Sequence, residues 1–164
     1  MDSEDEVSIW TINDACLDPL FDKDVPIKPG IDVYVIGFPL GIAIAKHLAL
    51  WKRGTIASEP RFDANGKPLI LIDCATRNGM SGSPVIAQVQ GVWGGSSTDS
   101  TVITEDTKIG TGRKFIGVYS GHLGNDEFQA QLGLVWKLRV IAEIVSAGQT
   151  LDASSTIRVP PAVQ

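Results

Sequence analysis

Apolar residues recur along the chain in short runs, most of them alternating with polar ones, and each run ends at a glycine, proline or asparagine. Residues 7–12 (VSIWTI) alternate and are β-branched. Residues 31–38 (IDVYVIGF) follow the turn at 28–30, and 47–58 (HLALWKRGTIAS) reads as one long bent strand. After the turn at 63–68 come 68–75 (PLILIDCA), 83–93 (SPVIAQVQGVW), 114–121 (KFIGVYSG) and 132–138 (LGLVWKL). β-Branched and aromatic residues at this spacing, punctuated by turn formers, predict strands. The polar, glycine-rich stretch 94–112 predicts a long exposed loop or a hairpin excursion. Helical periodicity is confined to 137–148, where Val140, Ile141, Ile144 and Val145 share a face and Gly148 offers a C-cap. The last residues, 149–164, carry polar and proline punctuation and are expected to form a poorly ordered tail. Strands at short, regular spacing followed by one helix predict an all-β fold, an antiparallel barrel of about six strands with a C-terminal α-helix. Trp51, Trp93 and Trp136 lie in apolar runs and are expected to be at least partly buried, with Trp10 exposed.

Length and charge narrow this picture. A chain of 164 residues fits one domain with a real core, and 20% charged residues is ordinary for a globular protein. The net charge of −5, with no basic stripe, argues against nucleic acid as a partner. No apolar run approaches the roughly 20 residues of a membrane-spanning helix, so no membrane partner is expected. The acidic start, MDSEDEV, lacks the basic and apolar regions of a signal peptide, so a soluble chain is expected and its compartment stays open. Cys16 and Cys74, 58 positions apart, have no metal-ligand spacing and make no disulfide framework, although a single bridge between them stays open. No metal or cofactor is expected.

Candidate chemistry sits between two of the apolar runs, in Gly79-Met80-Ser81-Gly82-Ser83-Pro84. Glycines on both sides of a serine let the backbone turn tightly and aim amide N–H groups outward. A hydroxyl beside such donors is what acyl transfer by serine requires. A plain glycine-rich turn has the same composition, and the surrounding order of motifs decides between them.

Residues 73–84 (DCATRNGMSGSP) resemble the nucleophile loop of the trypsin-like serine proteases in its bacterial form, where Asp-x-Ala precedes Gly-Asn-Ser-Gly-Gly-Pro. Upstream, 28–41 (KPGIDVYVIGFPLG) resembles the family's turn and strand leading into Gly-x-Pro-x-Gly, and 53–58 (RGTIAS) resembles the strand that follows. Downstream, 115–121 (FIGVYSG) resembles the strand lining the pocket for the substrate's P1 side chain, and 132–138 with the final helix falls where the family's last strand and helix lie. The resemblance covers about residues 6–148. It implies the C-terminal barrel of a two-barrel protease at 28–148, a remnant strand and linker from the N-terminal barrel at 1–27, and a flexible tail at 149–164. It further implies a peptide or protein substrate, Ser81 as nucleophile, and the Gly79 and Ser81 N–H groups as the oxyanion hole. Ala75, Thr76, Val118, Tyr119, Ser120, Gly121 and His122 would line the substrate cleft, with Gly133 opposite. No carboxylate stands at Ala75 or Thr76, so a small or apolar P1 residue is expected rather than a cation; Asp73, the nearest acid, reads as a structural residue bonded to loop amides. Two positions depart from the family pattern. Ser83 replaces a glycine, and Met80 replaces the Asn or Asp that precedes the nucleophile.

A serine nucleophile needs a base that is itself oriented by a third group. The family's order is His, Asp, Ser, and neither His47 nor His122 falls at the histidine position. The stretch 4–12 resembles the strand that follows the triad acid, which puts Glu6, or Asp5 with a one-residue shift, at that place. The N-terminal barrel with its histidine is therefore expected outside this chain. Three readings follow: a C-terminal protease barrel active only with its other half, a non-catalytic peptide-binding relative, or an α/β-hydrolase using Ser81, Asp106 and His122. The last lacks βαβ alternation and the second glycine of the nucleophile elbow.

Overall fold

The computed structural model describes residues 24–43, 48–95, 103–123 and 132–147. Among them run six strands, β1 (Asp32–Gly37), β2 (Leu50–Ile56), β3 (Leu69–Asp73), β4 (Pro84–Gly94), β5 (Thr107–His122) and β6 (Leu132–Lys137), then one helix, α1 (Leu138–Ala147). All pairings are antiparallel, and the strands close into a barrel in the order β1-β2-β3-β6-β5-β4, with β4 returning to β1. This is the predicted all-β barrel with a C-terminal helix. The absence of any parallel sheet among the described residues removes the α/β-hydrolase reading.

Alternation explains which side chains fill the barrel. Strand residues point to opposite faces at a period of two, so Val33 and Val35 of β1 and Val135 of β6 turn inward and are fully buried. They meet Ile56, Ile70, Ile72, Val85, Ala87, Ile116 and Tyr119 in one continuous core. The alternation breaks in β4, where Val85 to Gln88 are all buried. There the partner of Val85 is Gly117 and that of Ile86 is Phe115, so Ile116 is an extra residue on β5. Such a bulge bends and twists the strand locally. A second one lies further along β5: Tyr119 pairs with Val135 and Gly121 with Leu134, leaving Ser120 as the extra residue.

The stretch 94–112, expected as a loop or a hairpin excursion, takes the second form in its described part: β5 begins at Thr107 and pairs with β4 as a long hairpin arm through Gly91↔Gly110 and Gly94↔Thr107. Gly112 has no side chain because Trp93 packs against it: a Cβ there would lie 2.7 Å from the indole. Trp93 and Trp136 are buried and half-buried as expected, but Trp51 is 52% exposed. Its position on β2 faces outward, where its ring meets Tyr34 edge-on at 5.8 Å and the Arg113 guanidinium at 5.9 Å. On α1, Val140 and Ile141 are half-buried whereas Ile144 is 66% exposed. The expected strand at 7–12, Trp10 and the Gly148 cap lie outside the described residues.

Candidate active site

The serine loop leaves β3 at Asp73 and enters β4 at Pro84. Its conformation is held from three sides. Gly79 and Gly82 both take left-handed backbone, with φ of 91° and 90°, which glycine adopts at least cost. At Gly79 a Cβ would also lie 2.8 Å from the Phe38 carbonyl oxygen, because the turn after β1 presses on the loop. That turn, Pro39–Gly41, is a single 3₁₀ turn with Leu40 at φ 56°, and the Leu40 N–H donates to the Asn78 carbonyl at 2.7 Å. The brace is therefore the Gly-Phe-Pro-Leu-Gly segment, whose role in supporting the serine loop the sequence did not disclose.

The second support is Met80. Its side chain is fully buried in the barrel core, so an apolar anchor stands where the family pattern has a polar residue. Gly37 makes room for it: a Cβ on Gly37 would lie 3.3 Å from the Met80 sulfur and 2.1 Å from the Ser83 hydroxyl. The two departures from the family pattern thus pack side by side against one glycine, and Ser83 is small enough to be buried there.

The third support is Tyr119. Its carbonyl accepts from the Gly82 N–H at 2.8 Å and its N–H donates to the Ser83 carbonyl at 2.9 Å. Its hydroxyl is hydrogen-bonded to the Thr76 hydroxyl at the other end of the loop. Both side chains are buried. Burial pushes the Tyr119 phenol above its ordinary value, against the opposing hydrogen bond from Thr76.

What this leaves at the surface is specific. Met80 N–H donates to Arg77, Gly82 N–H to Tyr119 and Ser83 N–H to Met80. The Gly79 and Ser81 N–H groups donate to no backbone carbonyl among the described residues. Ser81 is exposed, and its Oγ donates to the Ser120 carbonyl at 3.2 Å. That carbonyl belongs to the bulge residue of β5, so the irregularity in the β5–β6 ladder presents an acceptor to the serine.

The remaining expected residues fall around this centre. Ala75 and Ser120 are exposed, Val118 and Gly121 half-buried, and Gly133 is buried across from Tyr119. His122 ends β5, exposed, opposite Gly133; Ser81 donates to a main-chain carbonyl and not to this imidazole. Asp73 is exposed at the end of β3. Asp106 is exposed and hydrogen-bonded to Thr104. Cys74 is a buried thiol against the Arg53 carbonyl at 3.4 Å, and burial raises its pKa. Asp5, Glu6, Cys16 and His47 lie outside the described residues. Among the described residues, no cluster of three or more His, Cys, Asp or Glu could hold a metal, and no helix is long and apolar enough to cross a membrane. An open apolar groove of about 350 Å³ between Pro60, Ile70, Phe115 and Leu138 contains no residue of the serine loop.

A barrel of this connectivity, with a glycine-flanked serine on the loop between its third and fourth strands, is the form of a trypsin-like fold. The family model of the trypsin-like peptidase domain matches residues 11–95, from ahead of β1 through the serine loop to the end of β4. The chain belongs to that family, the serine proteases of trypsin-like type. A comparison with curated proteins found no match.

Proposed function

We propose that this chain carries the nucleophile half of a serine endopeptidase. Residues 28–148 form its C-terminal barrel and helix, and residues 1–27 the strand and linker that lead in from an N-terminal barrel. Ser81 Oγ attacks the scissile carbonyl of a peptide. The charge that develops on the carbonyl oxygen is held between the Gly79 and Ser81 N–H groups, and the acyl-enzyme on Ser81 is then released by water. The observation that carries this reading is the alternation of amides in the loop. Those of Met80, Gly82 and Ser83 are bonded internally, whereas those of Gly79 and Ser81, on either side of Met80, have no backbone acceptor among the described residues.

Among the described residues no base is bonded to Ser81 Oγ. Ser81 Oγ rests on the Ser120 carbonyl, a group that cannot take its proton during attack. We place the general base on a histidine of the upstream barrel, with Glu6 or Asp5 as the acid that orients it. The same observation favours a second reading, a module that binds peptides in the cleft without cleaving them. A two-part test separates the two. Joining an upstream histidine-bearing barrel of the family to this chain is expected to give peptide hydrolysis that Ser81→Ala abolishes. A joined protein that binds peptide at the cleft but never cleaves it would favour the binding module.

A further inference from the structure

The P1 pocket expected from the family lies between two walls, residues 75–76 before the serine loop and residues 118–121 on β5, with Gly133 opposite. In this protein the two walls touch. Tyr119 is 2% exposed and reaches across the interior so that its hydroxyl bonds to Thr76, itself 6% exposed. Gly133, on the third side, lies flush against the same ring: a Cβ there would be 2.9 Å from Tyr119 Cε2. The Tyr119 main chain meanwhile holds Gly82 and Ser83, so the ring is anchored at the foot of the loop that carries Ser81. We infer that Tyr119 occupies the space beneath Ser81 in which a P1 side chain would sit, and that it restricts the site to glycine, alanine or serine at P1. This rests on the proposed peptide cleft and narrows its substrate class.

Physical cost supports the restriction. A larger P1 side chain could enter only by displacing a buried ring that lies against Gly133 and by breaking its hydrogen bond to Thr76. Forcing extra carbons into a filled site is unfavourable, and differences of a single methylene are already discriminated by about tenfold or more. The ring also brings no charge to the floor of the site, so Lys or Arg at P1 gains nothing in compensation.

Binding tests this on the 164-residue chain without requiring turnover. N-acetylated tetrapeptides ending in a free carboxylate, differing only in Ala, Leu or Phe as the last residue, are titrated while the backbone amide resonances are followed by NMR. The Ala peptide is expected to shift the Gly79 and Ser81 amides and to bind at least about tenfold more tightly than the Phe peptide. Tyr119→Val, which removes the ring, is expected to reverse that order, whereas Tyr119→Phe, which keeps the ring and loses only the hydroxyl, is expected to preserve it. If the Phe peptide binds the unaltered chain as tightly as the Ala peptide and shifts the same amides, the cleft stands and the role of Tyr119 is overturned. If no peptide shifts those amides, the cleft reading itself falls, and the inference with it. The series on the unaltered chain and on Tyr119→Phe decides the matter even if Tyr119→Val does not fold.

Discussion

Two glycines flank Ser81, and they are not equivalent. Both hold left-handed backbone, which costs a side-chain-bearing residue about 1–2 kcal/mol. At Gly82 nothing lies within 4 Å of a Cβ, so conformation alone is at stake. At Gly79 the Cβ would also meet the Phe38 carbonyl at 2.8 Å, with the Leu40 N–H behind it at 3.3 Å. Gly82→Ala is therefore expected to lose about 1 kcal/mol of stability and leave the brace in place. Gly79→Ala is expected to lose more and to push the loop away from the Pro39–Gly41 turn. Urea denaturation of the two variants checks the order, and equal losses would show that the brace exerts no pressure on the loop. The conformations were legible in the sequence, because Gly-x-Ser-Gly demands a tight turn. The asymmetry was not, since it depends on a segment some 40 residues away.

At the scale of elements, β1 was legible from its alternation and β3 and β6 from short apolar runs bounded by turn formers. The start of β5 was legible only as one of two alternatives, loop or hairpin. Its Gly110 and Gly112 read as loop composition, and only the partner strand explains them, since Trp93 needs the bare backbone of Gly112 to pack. The bulge at Ser120 left no mark in the sequence, yet it supplies the carbonyl on which Ser81 rests. Trp51 was misjudged because an apolar run shows hydrophobicity but not which face each residue takes. The junction of β6 and α1 is held by charge: Asp63 accepts from Lys137 at 2.7 Å and pairs with Arg139 on the first turn of the helix. The Lys137 hydrogen bond, with Arg139 beside it, holds the Asp63 carboxyl below its ordinary range. A carboxyl lowered by folding adds stability above its unfolded pKa, near 4, and loses that contribution as pH falls through its folded value. Asp63→Asn is expected to remove this part of the acid dependence. The two proteins are expected to differ in stability above about pH 4 and to converge at lower pH, where Asp63 is protonated; a stability difference that stays constant across the pH titration would contradict it. Exposure keeps the effect small.

At the scale of the molecule, the described residues form one closed barrel with a C-terminal helix, and among them no imidazole is bonded to the Ser81 hydroxyl. The barrel was readable from sequence because short β-branched runs recur between turn formers. The bond between Tyr119 and Thr76 was not, because it joins residues 43 positions apart. The central proposal is that Ser81 is the nucleophile and that its base is supplied by an upstream barrel. Without a triad partner, catalysis falls to the residual level of about 10³–10⁴-fold over water that binding and oxyanion stabilisation supply. A fluorophosphonate probe, followed by mass spectrometry of the intact 164-residue chain, reads this directly. The account predicts slow labelling or none, and rapid labelling at Ser81 once an upstream histidine barrel is joined. Fast, stoichiometric labelling of the chain by itself would contradict it and would point to His122 or His47 as the base.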